Sequence, residues 1–250
     1  MNEFNRLLNI MEELREKCPW DKKQTFESLS HLTIEETYEL CDAIIKNDTK
    51  GIKEEVGDLF LHLVFYAKIL KEKEGTEIDD ILKAINDKLI HRHPHVFESQ
   101  KELTEDEVKQ NWEQLKLKEG RKSIYSGVPL SLPSVVKAFR IQDKAAQVGF
   151  DWDAYQKVRE KLSEEILEFD EAVQSKNIEH IEEELGDLMF TMVNLSRFLK
   201  IDPERALQNT NAKFIQRFQY IEDNALKPIH ELSLDEMEAL WIEAKSSNKG

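Results

Sequence analysis

Long hydrophobic runs are missing from this 250-residue chain, which argues against a membrane span or a membrane partner. An N-terminal signal pattern is missing too, so the expected home is the cytoplasm. Only two cysteines are present, Cys18 and Cys41, too few for a disulfide-built scaffold or a thiolate-rich metal centre. Eight glycines and six prolines exclude fibrous and low-complexity classes. Basic residues are in deficit: 35 Lys and Arg against 50 Asp and Glu leave a net charge of −15. That balance argues against nucleic acid as a general partner. It leaves phosphorylated small molecules open, because a divalent cation bridges carboxylates to phosphates that would otherwise repel them. No Glu-x-x-His pair occurs, so the usual di-iron bundle signature is absent as well.

What is present is helical periodicity, with almost nothing that reads as a strand. The spacing of Phe4, Leu7, Leu8, Met11 and Leu14 predicts a helix over residues 2–17. Others are predicted over 26–46, 52–73 and 77–91, and the pair Thr104/Glu107 reads as a capping box leading towards Trp112. Cys41, inside the second of these, reads as a core residue. The order then repeats. Glu35, Glu36, Glu39, Glu55 and Asp58 recur 129 residues later as Glu164, Glu165, Glu168, Glu184 and Asp187. Thr104/Glu107 and Trp112/Lys116 return at the same offset as Ser233/Glu236 and Trp241/Lys245, while Lys88 and Arg92 match Lys213 and Arg217 at 125. An all-α fold of tandem repeated helical-bundle domains follows, over residues 1–120 and 134–250. Residues 121–133, with Gly127, Pro129 and Pro133, form the expected linker.

The second copy shows why the carboxylates matter. From Glu164, residues Glu165 and Glu168 lie about 100° and 40° round the helix, within a single arc. Glu184 and Asp187 are three apart and share a face of the next helix. Two antiparallel helices joined near residues 174–177 bring these faces together, with Ile166, Leu167, Phe169, Leu185, Leu188 and Met189 expected to pack around them. A Glu-rich helix alone is usually a solvated face. Gly186 within an apolar helix is less ordinary, because glycine costs about 1 kcal/mol there relative to alanine. A close helix contact or a ligand can justify it. Repulsion within the cluster calls for a cation, and Mg²⁺ suits oxygen ligands and phosphate substrates.

The motifs EETYE at Glu35–Glu39, EVGD at Glu55–Asp58, EEILE at Glu164–Glu168 and ELGD at Glu184–Asp187 resemble the MazG family of nucleoside triphosphate pyrophosphohydrolases, in its two-domain bacterial form. CPWD at Cys18–Asp21, RHPHVF at Arg92–Phe97 and VGFDW at Val148–Trp152 extend the likeness along essentially the whole chain. The resemblance implies an all-α homodimer that uses Mg²⁺, with Mn²⁺ as a substitute, to cleave nucleoside triphosphates between the α- and β-phosphates. It implies metal ligation by Glu164, Glu165, Glu168, Glu184 and Asp187. It also implies nucleotide or phosphate contacts from Lys161, Lys213, Arg217, Trp241 and Lys245, while Asn194 returns to the Asp187 face. Glu165 or Glu168 is the candidate base, and Lys213 and Arg217 are the candidate stabilisers of developing charge.

The copies differ in ways that bear on activity. The positions of Lys161 and Asn194 are Leu32 and Phe65 in the first copy, which nevertheless keeps Glu35, Glu36, Glu39, Glu55 and Asp58 as a second candidate site. Weak or absent turnover is the expectation for it. Two rival readings stand beside broad triphosphate hydrolysis: a non-catalytic helical interaction or nucleotide-binding module, and a pyrophosphatase restricted to one deoxynucleotide.

Overall fold

A computed structural model describes residues 2–98, 102–104, 107–108, 111–112, 115 and 123–247, and among these every regular element is helical. The first group comprises α1 (Glu3–Lys17), α2 (Phe26–Ile45), α3 (Thr49–Glu74), α4 (Ile78–Arg92) and the short α5 (Pro94–Phe97). The second comprises α6 (Ser134–Gln147), α7 (Tyr155–Ser175), α8 (Ile178–Phe198), α9 (Pro203–Asn224) and α10 (Leu234–Ser247). The chain forms two compact units, residues 1–103 and 104–250, so the 121–133 segment belongs to the second.

Local chemistry sets the helix ends. The Asn2 side chain accepts from Asn5 N at 2.8 Å, and Thr25 and Ser28 form a reciprocal capping box before α2. Helix α3 starts three residues ahead of the expected Ile52, because Asp48 Oδ1 accepts from Lys50 N and Gly51 N. It ends at Gly75, whose φ of +72° suits a residue without Cβ. Pro94 closes α4 and opens α5, whereas α9, with no proline at that point, runs on to Asn224. Glu107 caps Thr104 as expected, with Thr104 N donating to its carboxylate at 2.8 Å. Most of the following segment, Lys116 included, lies outside the described residues.

Within the first unit α2 and α3 form an antiparallel pair, with α1 and α4 packed on α3. Met11, Leu29, Val64, Phe65 and Ile69 are its buried cluster, flanked by Phe4, Leu7, Leu8, Phe26 and Leu32. Arg15 of α1 grips Glu72 of α3 through two nitrogens, and its guanidinium also lies over the Phe65 ring. The Arg15 hydrogen bond holds the Glu72 carboxyl below its ordinary value. In the second unit α7 and α8 form the equivalent pair, with α6 on α8, α9 touching α6 and α8, and α10 on α9. Its buried residues are smaller: Ala145, Val158, Ala172, Val193, Ile221 and Ala244.

Three expectations about packing are corrected. Cys41 is exposed, because the face of α2 turned to α3 runs through Leu29, Leu32 and Ala43, and Cys41 lies well round the helix from it. Ile166, Leu167, Leu185 and Met189 are also exposed and do not close over the carboxylates. Finally, a Cβ placed on Gly57 or Gly186 meets nothing within 4 Å, so a close helix approach inside either unit does not account for these glycines.

The start of α10 yields a pH prediction. Ser233 N donates to Glu236 Oε2 at 2.7 Å, and Lys227 Nζ lies 2.9 Å from the same oxygen. The backbone hydrogen bond, followed by the Lys227 contact, lowers the Glu236 carboxyl from 4.5 to about 2. A depressed carboxylate contributes stability above its unfolded pKa and loses it as pH falls through the folded value. A carboxyl-resolved NMR titration is therefore expected to place the Glu236 midpoint near pH 2. A midpoint at the unperturbed value of 4.5 would remove the cap from the account.

Candidate active site

Helices α7 and α8 meet through a short turn in which Lys176 adopts a left-handed φ of +58°. The turn aligns them antiparallel and brings their acidic faces together. Carboxylate oxygens of Glu165, Glu184 and Asp187 all lie within 4.8 Å of one another. Glu165 is 4% exposed, and its Oε2 is buried with no hydrogen-bond partner among the described residues. A buried carboxylate oxygen left without a donor is costly, and a cation satisfies it. All three donors are hard oxygens, so the set fits a divalent metal ion of the magnesium type.

Glu164 and Glu168 stand outside that triplet. Lys161, one turn before Glu164 and two before Glu168 on α7, places Nζ 2.6 Å from Glu164, 2.8 Å from Glu165 and 4.0 Å from Glu168. Hydrogen bonds to Glu164 and then Glu165 raise the lysine pKa well above its ordinary value, so it stays charged. The Glu168 carboxyl is raised, first by desolvation and then by Glu165, Glu164 and Glu184, against the opposing pull of Lys161. His180 is a neighbour the sequence reading missed: its Nε2 lies 3.2 Å from Glu184 Oε1. Its position one turn before Glu184 on α8 was the available signal.

The remaining candidates lie elsewhere on the unit. Phe214 packs against Trp241 at 5.1 Å between ring centroids, and the Arg217 guanidinium sits 5.4 Å from the same indole. Lys213 and Lys245 are exposed. Asn194 Oδ1 accepts from Arg197, which also clamps Asp151 in the loop after α6. Gly149, with φ of +90°, turns the chain there and presents Phe150 and Trp152. The 148–152 segment thus abuts α8 at Arg197, nearly three turns beyond Asp187.

The first unit repeats the acidic meeting with different neighbours. Here the converging oxygens belong to Glu36, Glu39 and Glu55, and Glu35 and Asp58 are not in the set. Desolvation raises the Glu36 carboxyl, with Asp58, Glu39 and Glu35 adding to it and a hydrogen bond with Glu55 opposing. Glu55 is raised by desolvation and by Glu39, Glu36 and Asp58. No lysine stands at Leu32. Instead Thr33 Oγ1 lies 2.9 Å from His62 Nδ1 and 2.6 Å from Tyr66 OH. The second copy has Leu162, Thr191 and Leu195 at these positions, so comparing the repeats for shared residues passed over this polar network.

Known proteins resemble this arrangement along its whole length. The profile of the MazG nucleotide pyrophosphohydrolase domain matches residues 24–97 and again 154–221. A nucleoside triphosphate pyrophosphohydrolase/pyrophosphatase MazG of Thermotoga maritima is 43% identical over 255 residues, covering 98% of this chain and 97% of the relative. A nucleoside triphosphate pyrophosphohydrolase of Escherichia coli K12 is 40% identical, covering 98% of both chains. The crystal structure of a mazG-related protein from Thermotoga maritima matches 45% of this chain and 98% of its own, at 29% identity and a TM-score of 0.42. This chain belongs to the MazG nucleotide pyrophosphohydrolase family, and it carries that family's domain twice.

Proposed function

We propose that the second unit hydrolyses nucleoside triphosphates at the α–β bond, with broad base specificity, giving a nucleoside monophosphate and pyrophosphate. The observation that carries this reading is the buried, unpartnered oxygen of Glu165 facing Glu184 and Asp187 across the α7–α8 seam. Glu165, Glu184 and Asp187 would hold Mg²⁺, or Mn²⁺ in its place. The bound ion supplies positive charge to the phosphate oxygens and polarises water. Glu168, left outside the converging three and raised in pKa, takes the proton of the water that attacks the α-phosphorus. The bond to the bridging oxygen breaks and pyrophosphate departs. Lys161 fixes Glu164 and Glu165. Lys213, Lys245 and Arg217, the last braced on Trp241, meet the phosphate charge.

The first unit is the weak or inactive partner. The absence of a lysine at Leu32 favours metal or nucleotide binding without fast turnover. The exposed Ile166, Leu167, Leu185, Met189 and Met192 favour a homodimer, in which a second copy covers them. No helix among the described residues is long and apolar enough to cross a membrane, and the net charge of −15 disfavours nucleic acid. A cytoplasmic setting, where Mg²⁺ and triphosphates are plentiful, completes the proposal.

The direct experiment measures pyrophosphate from the four common nucleoside triphosphates and their deoxy forms, with Mg²⁺ and with EDTA. Metal-dependent pyrophosphate plus matching monophosphate from all bases is expected. Orthophosphate release sinks the α–β assignment, and turnover of one deoxynucleotide alone sinks broad specificity.

A further inference from the structure

A cavity of about 300 Å³ lies in the second unit between α6, the loop after it and α8. Tyr125, Phe150, Trp152 and Phe190 give it aromatic walls, and Gln142 and Asn194 contribute polar groups. Its α8 residues continue the line of the acidic cluster: Phe190 is three residues beyond Asp187, and Asn194 is seven. At 1.5 Å per residue, Asn194 lies about 10 Å along α8 from Asp187. That separation matches a nucleoside bound with its phosphates at the carboxylates and its ring among the aromatics.

Gln142 is the unexplained group in this wall. The residue is 7% exposed, and its Nε2 donates to Phe190 O at 2.8 Å. A carbonyl can only accept, so this bond fixes which end of the amide is which. The other end, Oε1, is buried and has no hydrogen-bond partner among the described residues. Gln142 itself lines the cavity, so this unpartnered acceptor belongs to the cavity wall. Asn194 is arranged in the opposite sense. Arg197 donates to its Oδ1, which leaves the amide nitrogen as a donor. Trp241, the other candidate stacking surface, is already engaged by Phe214 and Arg217.

We propose that this cavity receives the nucleotide base and that Gln142 Oε1 accepts a hydrogen bond from the base's pairing edge. The inference rests on the hydrolase reading for the position of the phosphates. Adenine and cytosine offer an exocyclic amine on that edge, and guanine, uracil and thymine offer a ring N–H. The Asp151 carboxylate, which also lines the cavity, is taken up by Arg197, so Gln142 Oε1 is the acceptor left for the base, and every common base satisfies it. The same feature rejects a base with no donor there.

Purine riboside monophosphate, which lacks the adenine amine, is the probe. Binding of AMP and of this analogue is measured by calorimetry in Mg²⁺; neither carries an α–β phosphate bond, so turnover plays no part. Wild-type protein is expected to bind AMP about tenfold more tightly, the scale of one lost hydrogen bond in a buried site. Gln142→Leu is expected to bring that ratio to near one. An unchanged ratio in this variant, or no discrimination by wild type, overturns the assignment. Phe150→Ala provides a second variant that does not depend on Gln142 packing, since the Phe150 ring is 83% exposed. It is expected to weaken both ligands about tenfold while preserving their ratio. Unchanged affinity for both removes the cavity as the base site. Pyrophosphate release from ATP is measured alongside on wild type. Discrimination without release keeps the base pocket and discards the hydrolase reading, and release without discrimination does the reverse.

Discussion

Replacing Asp187 with asparagine is expected to lower kcat/KM for pyrophosphate release by about 10²–10³-fold, the scale of losing one charged contributor at a phosphoryl centre. Asp187 is exposed in the chain, so the change removes a ligand charge without opening a cavity. Glu165 and Glu184 remain, but two carboxylates hold a divalent ion less firmly than three. Raising Mg²⁺ is therefore expected to recover part of the lost rate. The equivalent change in the first unit, Asp58→Asn, is expected to leave release within about twofold of wild type, because catalytic charge stabilisation acts only at the centre where the phosphates react. Steady-state assays of both variants decide the matter. Equal losses would place turnover in both units, and a loss under tenfold at Asp187 would remove it from the metal site.

The second large effect concerns stability. Ile69 is 1% exposed within the Met11, Leu29, Val64 and Phe65 cluster. Truncating it to alanine is expected to destabilise the first unit by about 2–5 kcal/mol, combining lost apolar burial with the cavity left behind. Denaturant unfolding followed by hydrogen exchange of the α1–α3 amides measures the loss. Pyrophosphate release below the transition is expected to persist, because the proposed chemistry lies in α7 and α8. A parallel collapse of activity would show that the second unit needs the first.

The helices and their repetition were readable because both are patterns along the chain. Apolar residues at helical spacing and capping residues such as Asn2 and Thr25 act locally, so α1, α2 and α4 appear within one or two residues of expectation. The N-terminal boundary of α3 moved because Asp48, not the first apolar residue, satisfies the first free amides. The meeting of acidic faces was readable for the same reason, since Glu165, Glu184 and Asp187 sit at spacings that fix their faces.

Other features depended on what each face meets. A helical wheel places Glu164 in the same arc as Glu165, yet only Glu165 turns into the seam, while Lys161 bonds to both. Cys41 and Leu167 are as apolar as core residues but point away from every packed neighbour. The Thr33–His62–Tyr66 network joins residues about thirty positions apart, and the Gln142–Phe190 bond spans 48. The sequence by itself determined the all-α tandem architecture and the acidic chemistry, because propensity, capping and periodicity are properties of neighbouring residues. Only the tertiary structure decided which carboxylate oxygen is buried without a donor and where the aromatic cavity lies, because burial and unmet hydrogen bonds exist only once distant segments pack.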